Sequence, residues 1–281
     1  MPGPWSSYVA IGDSFTEGMD DPYADGTYRG WADLVAGCLA AVHETDDFRY
    51  ANLAVRGRLL HAVADAQVPL AAAMKPCLVT FSAGANDTLR RRFDPQRMAE
   101  VFESAVDRLT TSGTDVVLFT PPDVTVNYPS ATRYLGPRLE FSTELVRRVA
   151  KEYDTYLADL NADEGFRDRR MWSIDRLHLN PAGHRRVAHH VLSALGVECD
   201  AEWMASLPVA TPDRWLTARR ADLRWARAHL APWIGRRLTG RSSGDTITAK
   251  RPDLASYSSS SPMPRSHSPG SCSGRVGGSK P

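Results

Sequence analysis

Cysteine is scarce: Cys38, Cys77, Cys199 and Cys272 are the four in 281 residues, and no two stand in a C-x-x-C spacing. A disulfide framework or thiolate zinc site is therefore not expected, and the two cysteines inside apolar runs read as buried thiols. No uninterrupted apolar stretch reaches the roughly 18 residues of a membrane-spanning helix. The opening MPGPWSSYVAIGDS has neither the basic nor the apolar region of a secretory signal, so the expected compartment is the cytoplasm. Internal repeats are absent. So is the G-x-S-x-G signature of the α/β-hydrolases, since Thr80 stands two residues before Ser82. His184, His189 and His190 cluster without a neighbouring cysteine or carboxylate set, so neither metal nor cofactor is expected.

The net charge of +1 conceals an asymmetry. Residues 1–200 carry 21 Lys+Arg against 28 Asp+Glu, and residues 201–281 carry 13 against 5. Through residue 195, short apolar runs alternate with segments of helical period, the pattern of parallel strands covered by helices. The runs are 8–11, 50–55, 77–82, 115–120 and 156–160. Apolar faces at Trp31 to Val42, Met98 to Leu109, Leu145 to Ala150 and Val187 to Leu195 predict helices. Asp94-Pro95 and Asn180-Pro181 each place a capping side chain before a proline suited to a first helical turn.

Three units follow: a domain over 1–200, a basic Trp-rich helical extension over 201–240, and a Ser/Gly/Pro-rich tail over 241–281, expected to be disordered. Residues 211–241 hold eight arginines against two acids, which suits docking on the acidic domain or contact with an anionic membrane surface. Nucleic acid is not expected as a partner.

In a doubly wound sheet, ligands bind beyond the carboxyl ends of the strands. Ser14 in GDSFTEG follows the first run directly. Asp175 and His178 in DRLHLNPAGH lie three apart before the last helix, where one loop supplies a carboxylate to orient an imidazole. Gly57 and Asn86 follow the second and third runs, placing a close-approaching backbone N–H and a side-chain amide at the same edge. Taken singly, each is an ordinary turn residue or surface hydrogen bond. Together they describe a nucleophile, a base and donors for an oxyanion.

Ser14, Gly57, Asn86 and His178 also resemble, in order, the four invariant positions of the SGNH hydrolases, or GDSL lipases and esterases. GDSFTEG, NLAVRG, GAND and DRLHLNPAGH match their blocks over about residues 6–196 with no departure at a motif position. The resemblance implies a flavodoxin-like three-layer α/β/α domain with a five-stranded parallel sheet. It implies an esterase or lipase acting on a small-molecule ester through an acyl-enzyme. Ser14 is then the nucleophile, His178 the base and Asp175 the orienting acid, with the oxyanion held by the backbone N–H groups of Ser14 and Gly57 and the side chain of Asn86. A non-catalytic binding module on the same fold is the rival reading.

The acidic loop Glu17 to Tyr28 argues against a strongly anionic substrate, and residues 122–136 are expected as a second loop at the site. Arg90, Arg91 and Arg92 read as a solvated face.

Overall fold

The computed structural model describes residues 5–43, 47–205, 207 and 244–258. Each apolar run becomes a strand, largely buried except for the edge strand β5: β1 (Ser7–Gly12), β2 (Arg49–Asn52), β3 (Leu78–Ser82), β4 (Asp115–Phe119) and β5 (Tyr156–Ala158). These five are parallel and lie in the order β5-β4-β3-β1-β2, so the chain reverses direction across the sheet between β1 and β3. That is the flavodoxin-like order, and its switch point marks a crevice at the carboxyl ends of β1 and β3.

The helices are α1 (Ser14–Glu17), α2 (Gly30–Val42), α3 (Leu60–Met74), α4 (Ala85–Thr88), α5 (Pro95–Thr111), α6 (Thr132–Glu152) and α7 (Pro181–Ala194). The period of two along β1 sends Tyr8 and Ala10 to a core shared with α2 and α7. Val9 and Ile11 face a second core with α3, α5 and the latter part of α6. The two predicted caps form as expected. Asp94 accepts from Arg97 N at 3.0 Å, and Asn180 accepts from the amides of Ala182 and Gly183 at 3.0 and 3.1 Å.

Several expectations need correction. The sheet has six strands, because β6 (Arg251–Ser256) pairs antiparallel with β2. Residues 244–258 of the expected disordered tail are thus ordered. An edge strand is held by backbone hydrogen bonds and needs little apolar content, so composition averaged over the tail does not reveal it. Pro252 is compatible with an edge, where no ladder partner is needed on one side.

Helix α3 was not signalled by periodicity: its buried face is Leu60, Val63, Gln67, Val68 and Ala71, polar in the middle, with Pro69 inside the helix. Helix α6 begins at Thr132, so the second active-site loop ends there rather than at residue 136. Ala201–Met204 form a single 3-10 turn, and Trp203 packs against the first core. The basic segment 211–240, residues 241–243 and 259–281, and Cys272 lie outside the described residues. Cys38, Cys77 and Cys199 are unpaired thiols. No helix among the described residues is long and apolar enough to cross a membrane.

Candidate active site

Ser14 opens α1 immediately beyond β1, with Asp13 as the N-cap accepting from Phe15 N at 3.1 Å. The strand end is fixed from α3, where the buried Gln67 carboxamide accepts from Gly12 N at 2.8 Å and donates to Gly12 O at 2.9 Å. This side chain serves as a strand partner for a single residue. At the other end of α1, Gly18 N donates to Ser14 O at 3.2 Å. Gly18 crosses Gly30 so closely that a β-carbon on it would lie 2.6 Å from Gly30 Cα.

His178 reaches this turn from the loop before α7. Its Nε2 is 3.0 Å from Ser14 Oγ, and its Nδ1 is 2.5 Å from Asp175 Oδ2. Asp175 is itself oriented, its Oδ1 accepting from the amides of Leu177 and His178 at 2.9 and 3.0 Å. Buried Asn127 holds the turn from outside by donating to Arg176 O at 3.1 Å. Burial alone would lower the pKa of His178. The hydrogen bond and charge of Asp175, joined by the charges of Asp20 and Asp13, overturn that and hold it above the ordinary imidazole value. Burial likewise works against the Asp175 carboxylate, but His178 and the two amides keep its pKa below the usual range.

Asn86 stands at the start of α4 beyond β3. Its Nδ2 donates to Asp13 Oδ2 at 2.9 Å and to Arg58 O at 3.1 Å. The Arg58 contact also brings the Gly57 turn to this edge, with Gly57 in the left-handed region at φ 74°. Asp87 Oδ2 accepts from Leu60 N at 2.9 Å, tying the first residue of α3 to the third sequence block. Burial pushes Asp13 up to about 6, against the pull of the Phe15 amide, the His178 charge and Asn86. All five residues singled out from the sequence therefore meet at one sheet edge. Gln67, Asp13 and Asp87 complete the support. GAND carried Asp87 in plain view, whereas Gln67 left no signal because α3 itself was not legible.

Two of the four carboxylates of the acidic loop are neutralised within the protein. Glu17 pairs with the Arg56 guanidinium and accepts from Arg56 N at 2.7 Å, while Asp21 pairs with Arg29 at 2.8 Å. Asp20, left-handed at φ 67°, lies 3.9 Å from His178 Nδ1. Asp20, Asp175 and His178 bring three potential ligand atoms within 4.8 Å of one another. Both nitrogens of His178 already have protein partners, so a cation there would displace Asp175 or Ser14.

The three histidines of the final helix are also engaged. His184 Nδ1 accepts from Trp31 N at 3.2 Å and Nε2 donates to Met19 O at 2.9 Å; His190 meets Asp163 at 2.7 Å, and His189 lies 3.0 Å from Cys199 Sγ.

Beside Ser14 opens a cavity of about 110 Å³. Its walls are chiefly apolar, with Phe15, Met98, Phe119, Val124, Leu139 and Val146 on them, and Ser142 and Thr88 among the polar minority.

A family model described as the GDSL-like Lipase/Acylhydrolase family matches residues 10–186. Comparison with curated proteins gives no match. Among solved structures, LAE5, described as an alpha/beta hydrolase enzyme from the metagenome of Lake Arreo, Spain, is 24% identical with a TM-score of 0.58, over 70% of this chain and 97% of its own. A catalytic mutant of Axe2, an acetylxylan esterase from Geobacillus stearothermophilus, is 19% identical with a TM-score of 0.59, over 74% and 99%. TesA is 24% identical with a TM-score of 0.53, over 67% and 97%. At these identities the likeness is one of fold.

Proposed function

The chain belongs to the GDSL-like lipase/acylhydrolase family, and from that premise we propose that it hydrolyses carboxylic esters at Ser14, through an acyl-enzyme, with a preference for acyl chains of several carbons over acetyl. The observation that carries the reading is the single hydrogen-bonded line from Ser14 Oγ through His178 to Asp175. A binding module on this fold would have no use for it.

In the first half-reaction His178 Nε2 takes the Ser14 proton as Oγ adds to the ester carbonyl. The oxyanion is met by the backbone N–H groups of Ser14 and Gly57 and by Asn86 Nδ2. Asn86 keeps the 2.9 Å bond to Asp13 and releases the longer one to Arg58 O. His178 then gives its proton to the departing alkoxide, leaving an ester on Ser14. Water repeats the sequence, its proton passing to His178 and on to Ser14 as the carboxylic acid leaves. Asp175 fixes the tautomer and stabilises the imidazolium formed twice per turnover. One oxyanion donor is worth about 3 to 4 kcal/mol.

The chain-length preference rests on the cavity. Acetylxylan esterases share the fold, yet an acetyl group would leave most of the apolar wall beside Ser14 without a partner. Each methylene moved from water onto such a wall contributes about 0.8 kcal/mol, close to a fourfold gain in kcat/KM until the space is filled. A series of p-nitrophenyl esters from acetate to dodecanoate should show kcat/KM rising and then falling. Acetate as the best substrate would sink the preference. Retention of wild-type turnover by Ser14→Ala would sink the nucleophile.

A further inference from the structure

We propose that residues 244–258, beyond the part of the chain that matches the family, form a strap that positions the helix of Ser14 and the turn of Gly57 for catalysis. This rests on the reading of Ser14 and Gly57 given above. The strap is anchored along β2, where β6 supplies the outer edge and Tyr257 N donates to Phe48 O at 2.8 Å. The buried Tyr257 ring packs edge-on against Tyr50 at 5.2 Å. From that anchor two arms reach the active-site scaffold.

The first arm is Lys250. Its ammonium is drawn into the protein, with 18% of the side chain exposed, and all three of its donors are engaged: Asp33 Oδ1 at 2.9 Å, Tyr28 O at 3.1 Å and Arg29 O at 2.6 Å. Asp33, 2% exposed, also accepts from Tyr50 at 2.8 Å and Tyr23 at 3.2 Å. Lys250 is the cation that balances this buried carboxylate. The carbonyls it grips belong to the residues that lead directly into Gly30, and Gly30 is the backbone against which Gly18 closes α1.

The second arm is Gly244, buried against the loop after β2. A β-carbon there would lie 2.0 Å from Arg56 O and 3.0 Å from Val55 Cγ1. Arg56 is tied to Glu17 at the far end of α1 through its backbone N–H and its guanidinium, and it precedes Gly57. Each arm therefore reaches the four-residue helix that begins with Ser14 through one intermediate: Lys250 through Gly30 against the Gly18 cap, and Gly244 through Arg56 bound to Glu17. Interactions this near the reacting atoms act through sub-ångström placement, which the transition state feels more than substrate binding does.

The test uses the full-length protein with Gly244→Ala and Lys250→Met, each measured for its thermal midpoint, for kcat and KM on a p-nitrophenyl ester, and for the rate of fluorophosphonate labelling. The expected result is a folded protein whose kcat and labelling rate fall at least tenfold while KM stays within about threefold. The kcat and labelling losses should be parallel, because both depend on the same serine and oxyanion turn. Folded variants with wild-type kcat would overturn the proposal. So would failure of both variants to fold, which would make the strap a part of the core in place of a positioning device. A variant that raises KM alone would assign the strap to substrate binding and equally overturn it. Failure of the underlying reading looks different: the wild-type protein itself would then show no turnover dependent on Ser14.

Discussion

The loop before α7 and the first turn of α7 each carry a histidine, six residues apart, and the two have been driven in opposite directions. His184 is buried and His178 keeps 15% of its side chain exposed, and burial by itself lowers an imidazole pKa. His178 nevertheless lies above its ordinary value, because Asp175, Asp20 and Asp13 face it. His184 has two backbone partners and, among the described residues, no hydrogen-bonded carboxylate. Burial takes it down to about 4, against a weaker upward pull from the Met19 carbonyl and the charge of Asp21. On the proposed mechanism the same side chain carries a proton in one place, while in the other it ties α7, α2 and the Met19 turn together as a neutral group. Burial does not separate the two roles; the charge of the neighbours does.

The largest effect that could break this contrast lies at His178. His178→Ala should lower kcat by several orders of magnitude while leaving the thermal midpoint nearly unchanged, since its hydrogen bonds serve Ser14 and Asp175. Ser14→Ala should match it, and the double variant should be no worse than either, because the two act as a unit. Additive losses measured by steady-state kinetics would contradict that. Asp175→Asn should follow with a loss of about 10³- to 10⁴-fold, an amide being able to favour the wrong tautomer. Its pH profile should shift downward along the acid limb, as the principal carboxylate on His178 is then gone.

The placement of much of this site is legible in the sequence, for a physical reason. Reactive groups must occupy the ends of strands, and the strands of a parallel sheet are short continuous apolar runs, so Ser14, Gly57 and Asn86 could be placed at one edge by counting runs. The caps Asp94 and Asn180 were equally local. What stayed hidden depends on contacts distant in sequence. Gln67 meets Gly12 across 55 residues, and its helix has a polar buried position where periodicity looks for an apolar one. Lys250 meets Arg29 across 221 residues, within a segment whose composition resembles a solvated tail. The pairing of Glu17 with Arg56, 39 residues on, was hidden in the same way, whereas Arg29, which pairs with Asp21, directly follows the loop.

His184 provides a test of intermediate size, read as stability in place of rate. Its folded pKa of about 4 lies below the unfolded value of 6.5, so the unfolded chain takes up the proton first as the pH falls. The stabilising contribution is complete above pH 6.5, declines between 6.5 and about 4, and is gone below that; by linkage it amounts to about 3 kcal/mol. His184→Gln can still accept from Trp31 N and donate to Met19 O, but it cannot take up a proton. Urea unfolding at a series of pH values should show the wild type losing stability relative to His184→Gln across that window. Taking the difference matters, because Asp13, raised to about 6, contributes with the opposite sign: its effect is stabilising at low pH and is lost as the pH rises through 6. Parallel curves for the two proteins would mean that His184 is not held neutral.

The smallest effect belongs to Asp20, the second carboxylate on His178 Nδ1 at 3.9 Å. Asn tolerates the left-handed backbone that Asp20 adopts, so Asp20→Asn removes the charge and keeps the turn. The group is partly exposed, and at a solvent-like dielectric a unit charge at that distance is worth about 1 kcal/mol, or somewhat under one pH unit. His178 must be neutral to accept the Ser14 proton, so activity is lost as the pH falls through its pKa. In Asp20→Asn the acid limb of kcat/KM should therefore move to lower pH by about half a unit. The plateau should fall by a few-fold at most, because the imidazolium formed in the transition state is less well stabilised. An acid limb that stays in place, with Asp175 intact, would mean that Asp13 and Asp175 alone set the base and that Asp20 serves only the turn.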